Sequence, residues 1–319
     1  MKRVLVTGGT GFIGANLVRR LLDEGHEVHL LVRPASRWWR LEDVRERLHC
    51  HQADLGSPDT LRTAVQAAAP EWVFHLAAHG AYSWQTDTRE IMQTNLVGTV
   101  NLLQACEGTG LQAFVQAGTS SEYGPKDHAP SEEEALHPDS DYAVFKAAAT
   151  LYGEHMARSR GLPVVTLRLY SVYGPYEEPG RLVPNLIVQG LAGKLPPLVD
   201  PHTARDFVYV EDVLDAFVRA AERSRGLAGR VYNLGTGVQS TLAEMVSIAR
   251  EVLGIAAEPQ WGSMPPRSWD TNVWVANAAR ARTGLAWSPR YSLREGFART
   301  VEWFCSRPAL LEHYRRHAR

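Results

Sequence analysis

The stretch "VLVTGGTGFIGANLVRRLL", residues 4–22, narrows what this chain can fold into more than any other. A β-branched apolar run stops at two glycines, and an amphipathic helical pattern begins a few residues later, with Gly8, Gly9, Gly11 and Gly14 at the junction. Glycine permits a sharp turn and lets backbone amides approach a ligand closely, and those amides stand at the positive end of the adjoining helix. Strand, loop and helix in this order form the opening of a βαβ unit that holds the pyrophosphate of a dinucleotide. Gly8, Gly11 and Gly14, with Phe12 and Ile13 between the last two, are therefore assigned to a cofactor.

The same texture repeats downstream. The runs "EVHLLV", "ERLHCHQ", "EWVFHLAA", "QAFVQAG" and "PVVTLRLY" alternate with amphipathic segments near residues 16–24, 60–69, 90–106 and 142–158. Such alternation predicts the α/β class: a doubly wound parallel sheet of Rossmann type with helices on both faces. After Tyr173, proline and glycine punctuate shorter elements in "GPYEEPGRLVPN" and "GKLPPLVDPHTARD". This divides the chain into a dinucleotide-binding domain over residues 1–175 and a smaller, mainly substrate-binding C-terminal lobe over residues 176–319. "RDFVYVEDVLDAFVRAAE" and "RVYNLG", near residues 204–238, read as strand, helix and strand returning to the main sheet.

At 319 residues with 45% hydrophobic and 22% charged, the chain is long enough for a sizeable core and has an ordinary globular composition. Its formal net charge of -1 removes the electrostatic case for nucleic acid or an anionic membrane as partner. The opening "MKRVLVTGG" enters the first strand at once and is too short for a signal-peptide core, so a cytoplasmic location is expected. Cys50, Cys106 and Cys305 are widely separated and lack metal-ligand spacing, which predicts apolar filler and no metal site.

The end of the second strand bears on the choice of dinucleotide. An NAD site places an acidic residue there for the ribose hydroxyls, whereas "HLLVRPASR" supplies Val32 and then Arg33, Ser36 and Arg37. Two guanidinium groups and a hydroxyl suit a 2′-phosphate, so the expected cofactor is NADP, with NAD as the alternative. Trp38 and Trp39 come directly after, either covering the adenine or anchoring the loop.

Further on, "DYAVFKAAATLYGEHM" puts Tyr142 and Lys146 four residues apart on a helical pattern, so both point to one side. A free phenol with a pKa near 10 is a poor base at neutral pH. A close lysine cation and an oxidised nicotinamide could lower it by a few units, at about 1.4 kcal/mol each. Tyr142 would then shuttle a proton at working pH. Upstream, "AGTSSEYG" (117–124) ends a strand with a cluster of hydroxyls.

Together with "ADL" (53–55), "HLAA" (75–78), "TNLVGTVNLL" (94–103), "ARDFVYVEDV", "YNLGTG" and "GLAWSPRYSLREGFARTVEWF", these motifs run in the order of the extended short-chain dehydrogenases/reductases. Over nearly its whole length the chain resembles their sugar-nucleotide epimerase/dehydratase group. The resemblance implies that Thr119 hydrogen-bonds the reacting sugar oxygen, Tyr142 is the acid/base, and Lys146 holds the ribose and lowers the Tyr142 pKa. It also implies that Asp54 and Leu55 flank the adenine, that Leu76, Ala77 and Ala78 line the cofactor, and that Asn95 supports the active-site helix. Arg205 and Arg267 match arginines that bind a substrate diphosphate, and Asn185 joins the substrate set. Relatives dimerise through two helices, here 91–106 and 142–158, which makes a homodimer the expectation, with Leu102, Leu103, Ala148 and Leu151 as candidate contacts.

Members of this group share hydride transfer at a sugar carbon and differ in the later steps. Dehydratases carry their acids where this chain has Ser120 and Ser121; the carboxylate of Glu122 falls one residue later, and strand alternation sends it to the other side. Ser171 replaces the usual asparagine, and the aromatic loop "HGAYSWQTD" offers Tyr82 and Trp84 to stack on the sugar. The NADP-like second strand points to NADPH-dependent reduction of a 4-keto nucleotide sugar. The alternative is a 4-epimerase with retained NAD(P); a 4,6-dehydratase and a non-catalytic NADP-binding sensor have less support.

Overall fold

The computed structural model describes residues 1–265 and 271–317. In chain order the strands are β1 (Arg3–Thr7), β2 (Glu27–Val32), β3 (His49–Gln52), β4 (Trp72–His75), β5 (Ala113–Thr119), β6 (Val164–Leu169), β7 (Ser171–Tyr173), β8 (Ala204–Arg205), β9 (Phe207–Tyr209), β10 (Arg230–Leu234) and β11 (Ser240–Thr241). The helices are α1 (Phe12–Asp23), α2 (Pro58–Ala68), α3 (Thr88–Met92), α4 (Gly98–Cys106), α5 (Asp141–Arg160), α6 (Leu182–Gly190), α7 (Val210–Arg223), α8 (Leu242–Leu253), α9 (Ala279–Gly284), α10 (Leu293–Cys305) and α11 (Pro308–His317).

Seven strands form one sheet in the order β10-β6-β5-β4-β1-β2-β3, and every pairing is parallel. Alternate residues of its strands feed two cores. Val4, Val6, Val28, Leu30 and Phe74 face a core shared with α1 and α7; Leu5, Leu31, Val73 and Phe114 face one shared with α2, α4 and α5. The doubly wound fold is thus present, with strand order reversing between β1 and β4, where crevices for ligands open at the carboxyl ends of such strands.

Small residues bring α5 close to the sheet. A methyl group at Gly153 would stand 3.1 Å from Val164 Cγ1, and Ala143, Ala147 and Ala149 are buried on the same helix. Ser140 caps the helix start and Gly161, left-handed at φ +67°, ends it.

Three expectations change. The helix across residues 90–106 is broken into α3, a π-helical turn at Gln93–Val97 and α4. The strand sought in "ERLHCHQ" is confined to β3, because Glu42–Arg47 forms a 3₁₀ turn first. Of the two returning strands only β10 rejoins the main sheet; β9 pairs with β7 in a separate two-stranded sheet. Buried carboxylates on either side of β9, Asp206 before it and Asp212 in α7, tie distant segments to this region. Asp206 accepts from the amides of Thr236, Gly237 and Ala276, and Asp212 accepts from those of Arg290 and Tyr291.

Candidate functional site

The glycine loop leaves β1 through Gly8 at φ +67°. A Cβ there would lie 2.6 Å from the backbone of Ala77, and one on Gly14 would lie 2.2 Å from the Gly8 carbonyl oxygen. Only glycine leaves this cradle open, and Gly11 at the N-cap of α1 brings no side chain to cover the first-turn amides. Phe12 and Ile13 occupy that first turn and pack against the core. The residues fit a dinucleotide pyrophosphate at this helix start. Across the switch point, Leu76 donates its amide to the Thr7 carbonyl and Ala77 to the Thr7 hydroxyl, which places Leu76, Ala77 and Ala78 beside the loop. His75, buried below, is held near the hydroxyls of Thr7 and Thr99 at 2.7 and 2.9 Å, and burial lowers its pKa to about 3.

After β2, the Ser36 hydroxyl accepts the Arg33 amide at 3.0 Å, and Arg33 and Arg37 are exposed. Trp39 packs against Tyr176, His313 and Tyr314 of the C-terminal lobe, so it is an anchor and not an adenine cover. Asp54 folds back onto the Gly56 amide at 2.7 Å, and Asn101 holds the Leu55 carbonyl at 2.9 Å, which docks this turn on α4. Asn95 lies in the π-helical turn, where its side chain both accepts from the His79 amide and donates to the His79 carbonyl. It braces the aromatic loop, in which Tyr82 and Trp84 stack face to face at 4.7 Å.

Thr119 is the last residue of β5, and Tyr142 and Lys146 face it from the first turns of α5. Burial pushes the Tyr142 phenol up to about 12, with the hydrogen bond to Thr119 opposing it. Lys146 is not among the groups that shift this phenol, and the depression expected above needs the oxidised nicotinamide as well. The Lys146 ammonium donates to the Ala117 carbonyl at 2.5 Å, and burial lowers its own pKa to about 8.

Glu122 is fully buried behind Thr119, between the sheet and α5, and its charge acts on both Tyr142 and Lys146. It accepts from the Thr119 amide at 2.9 Å, the Thr150 hydroxyl at 3.1 Å and Arg168 Nε at 2.7 Å. Arg168 in turn donates to Tyr123 Oη at 2.9 Å, and Tyr123 donates to Asn233 at 2.8 Å. Strand alternation does not set its direction, because Ser120–Tyr123 is a 3₁₀ turn; the carboxylate is a paired core group and not a solvated one. Two sequence signals mark it: "TSSE" has the capping-box spacing, which the structure forms, and Arg168 is a lone cation in an apolar strand.

Ser120 Oγ accepts from the Trp274 indole at 3.1 Å, and the Arg205 guanidinium lies 5.7 Å from that indole ring. Sequence reasoning missed Trp274, which joins Ser120 and Arg205 into one wall. Ser121 is partly exposed next to Thr119, Ser171 opens β7, and Asn185 sits buried in α6 with its Oδ1 unpartnered. Arg267 lies outside the described residues. Arg181, also missed, lies 5.9 Å from the Tyr82 ring and is among the charges that act on Tyr142.

Residues 4–235 match the model of the "NAD dependent epimerase/dehydratase family". The chain is 34% identical to the UDP-glucose 4-epimerase of Mycolicibacterium smegmatis, with 95% of this chain and 98% of that protein covered. It is 32% identical to the dTDP-glucose 4,6-dehydratase of Streptomyces griseus, covering 94% and 93% respectively. It also superposes on the Thermus thermophilus UDP-glucose 4-epimerase complex with NAD at a TM-score of 0.83 and 32% identity, covering 94% and 97%. The chain therefore belongs to the NAD-dependent epimerase/dehydratase family, the nucleotide-sugar enzymes of extended short-chain dehydrogenase/reductase type.

Proposed function

We propose that the protein is a nucleotide-sugar 4-epimerase that works with a retained NAD(P). The observation that carries this reading is the buried pairing of Glu122 with Arg168. With Ser120 and Ser121 at the neighbouring positions, no carboxyl group of the "TSSEY" turn is left to drive elimination of water, which argues against a 4,6-dehydratase. Thr119, Tyr142 and Lys146 form a set that can move one proton at a sugar hydroxyl. The UDP-glucose 4-epimerases among the relatives favour this over the NADPH-dependent 4-keto reduction expected from the second strand.

Bound on the glycine cradle, the cofactor supplies a hydride acceptor and donor at the sugar carbon. Thr119 orients the reacting hydroxyl, and Tyr142 Oη takes its proton and later returns it. Because burial alone keeps the phenol protonated at neutral pH, a positive charge introduced beside it is what would make it a base. Lys146, freed from Ala117, would hold the ribose. Tyr82 and Trp84 form an aromatic wall for the sugar, and Arg205, Asn185 and Ser171 line the nucleotide side. Arg33, Ser36 and Arg37 support a preference for NADP over NAD.

A homodimer is part of this reading, through only the α5 half of the contacts first assigned. Leu102 and Leu103 are fully buried in the monomer core, whereas Val144, Ala148 and Leu151 form the outer stripe of α5.

The test is product analysis with UDP- and dTDP-sugars. Interconversion of 4-epimers without net cofactor use, abolished in Tyr142→Phe while cofactor binding persists, is the expected result. Stoichiometric loss of NADPH, or a 4-keto-6-deoxy product, would refute the proposal.

A further inference from the structure

Residues 174–178 run beside the glycine loop, and two side chains from the cofactor half hold them there. Arg40, only 5% exposed, donates from Nε to the Tyr176 carbonyl at 2.7 Å and from one terminal nitrogen to Glu178 at 2.8 Å. Its other terminal nitrogen reaches the carbonyl of Thr10, inside the glycine loop, at 3.4 Å, and its guanidinium lies 4.1 Å from the Trp39 ring. Independently, Asn16 on α1 donates to the Pro175 carbonyl at 2.8 Å. From the lobe side, Tyr314 Oη donates to the Glu177 carbonyl at 2.5 Å.

These ties hold Tyr176 at φ +66°, a left-handed conformation that a residue with a side chain keeps only where its surroundings over-determine it. Arg19 adds to the clamp from α1, its guanidinium 4.7 Å from the Tyr176 ring. The proton chemistry assigned to Thr119, Tyr142 and Lys146 uses none of these groups. What they do share is position: all join the segment after β7 to the loop and helix start that cradle a pyrophosphate.

We propose that Arg40 is a positioning residue that locks residues 174–178 against the glycine loop, so that the protein keeps its NAD(P) through turnover instead of exchanging it. The proposal rests on the 4-epimerase reading, which requires a cofactor that stays. Widening the gap between glycine loop and segment to release the dinucleotide would pull apart acceptors on both sides of one buried cation. Its hydrogen bonds cannot be kept one at a time, and a buried guanidinium left unpaired is costly. Release is slow for that reason.

The test loads the whole protein with NADH or NADPH, adds excess ADP-ribose or its 2′-phosphate, and follows the fall of nucleotide fluorescence. Wild type should release with a half-time of minutes or longer and purify with cofactor bound. Arg40→Met should release at least tenfold faster and purify largely empty, and Asn16→Ala should release several-fold faster. Release by wild type within the mixing time, or wild-type rates in both folded variants, overturns the lock. Should Arg40→Met not fold, Asn16→Ala alone decides by the same readout. Product analysis on wild type tests the epimerase reading separately, since net NADPH consumption would sink that reading whatever the release rates show.

Discussion

Replacing Glu122 with glutamine tests the central distinction between a framework carboxylate and a catalytic one. The change keeps shape but removes the charge that faces Arg168 across 2.7 Å in a site where both side chains are almost fully buried. Breaking one side of such a pair costs about 3–5 kcal/mol, because the other charge stays desolvated without a counter-ion. With an unfolding entropy of about 2.1 cal/mol/K per residue, the 319-residue chain loses about 1.5 °C per kcal/mol, so the melting temperature should fall by about 4–7 °C. Calorimetry on Glu122→Gln reads this directly. Glu122→Leu with Arg168→Met, which removes both charges, should recover most of the loss. Turnover in Glu122→Gln should fall by a modest factor at most, since the glutamine oxygen can still accept from the Thr119 amide, and remain measurable. An unchanged melting temperature with activity abolished would refute the reasoning and make Glu122 a catalytic acid after all.

Other outcomes depend on named groups. Burial raises the Glu177 carboxyl to about 8, with Arg181 opposing it. Between about pH 4.5 and 8 the folded state holds a proton that the unfolded state has released, so this group makes stability fall as pH rises, by about 1.4 kcal/mol per unit. Glu177→Gln should flatten that slope in denaturant titrations and be the more stable protein at pH 8; an unchanged slope would show that the carboxyl is ionised when folded. Gly14→Ala puts a methyl group 2.2 Å from the Gly8 carbonyl oxygen and should abolish cofactor binding, read by equilibrium dialysis, while the fold persists by circular dichroism. Arg33→Ala with Arg37→Ala should weaken NADPH binding at least tenfold and leave NADH binding nearly unchanged, since charge-assisted hydrogen bonds are worth about 1.5–3 kcal/mol. Equal effects on both nucleotides would remove the case for NADP.

Much of the fold and part of the site were legible before any tertiary structure. The glycine spacing after a β-branched run, the alternation of apolar runs with amphipathic segments and the four-residue spacing of Tyr142 and Lys146 are local patterns. Local backbone sterics and side-chain periodicity are enough to interpret them. Alternation sent Glu122 to the opposite face from Ser121, but Ser120–Tyr123 turns as a 3₁₀ helix and sets the carboxylate beside α5. The sequence could not say what Glu122 meets there, because Arg168 stands 46 residues away on the neighbouring strand.

The sequence by itself determined a parallel α/β fold, a dinucleotide loop and a one-helix tyrosine–lysine pair, since each is written in residues close along the chain. Tertiary structure decided everything that depends on distant segments meeting. It buried Leu102 and Leu103 in the core, turned Trp39 onto the C-terminal lobe, paired β9 with β7 and set Trp274 on Ser120. It also buried the Tyr142 phenol, which raises its pKa to about 12 before any cofactor charge acts. Spacing can place a cation near a phenol, but only the packed protein sets how much water the phenol loses, and that loss dominates its pKa here.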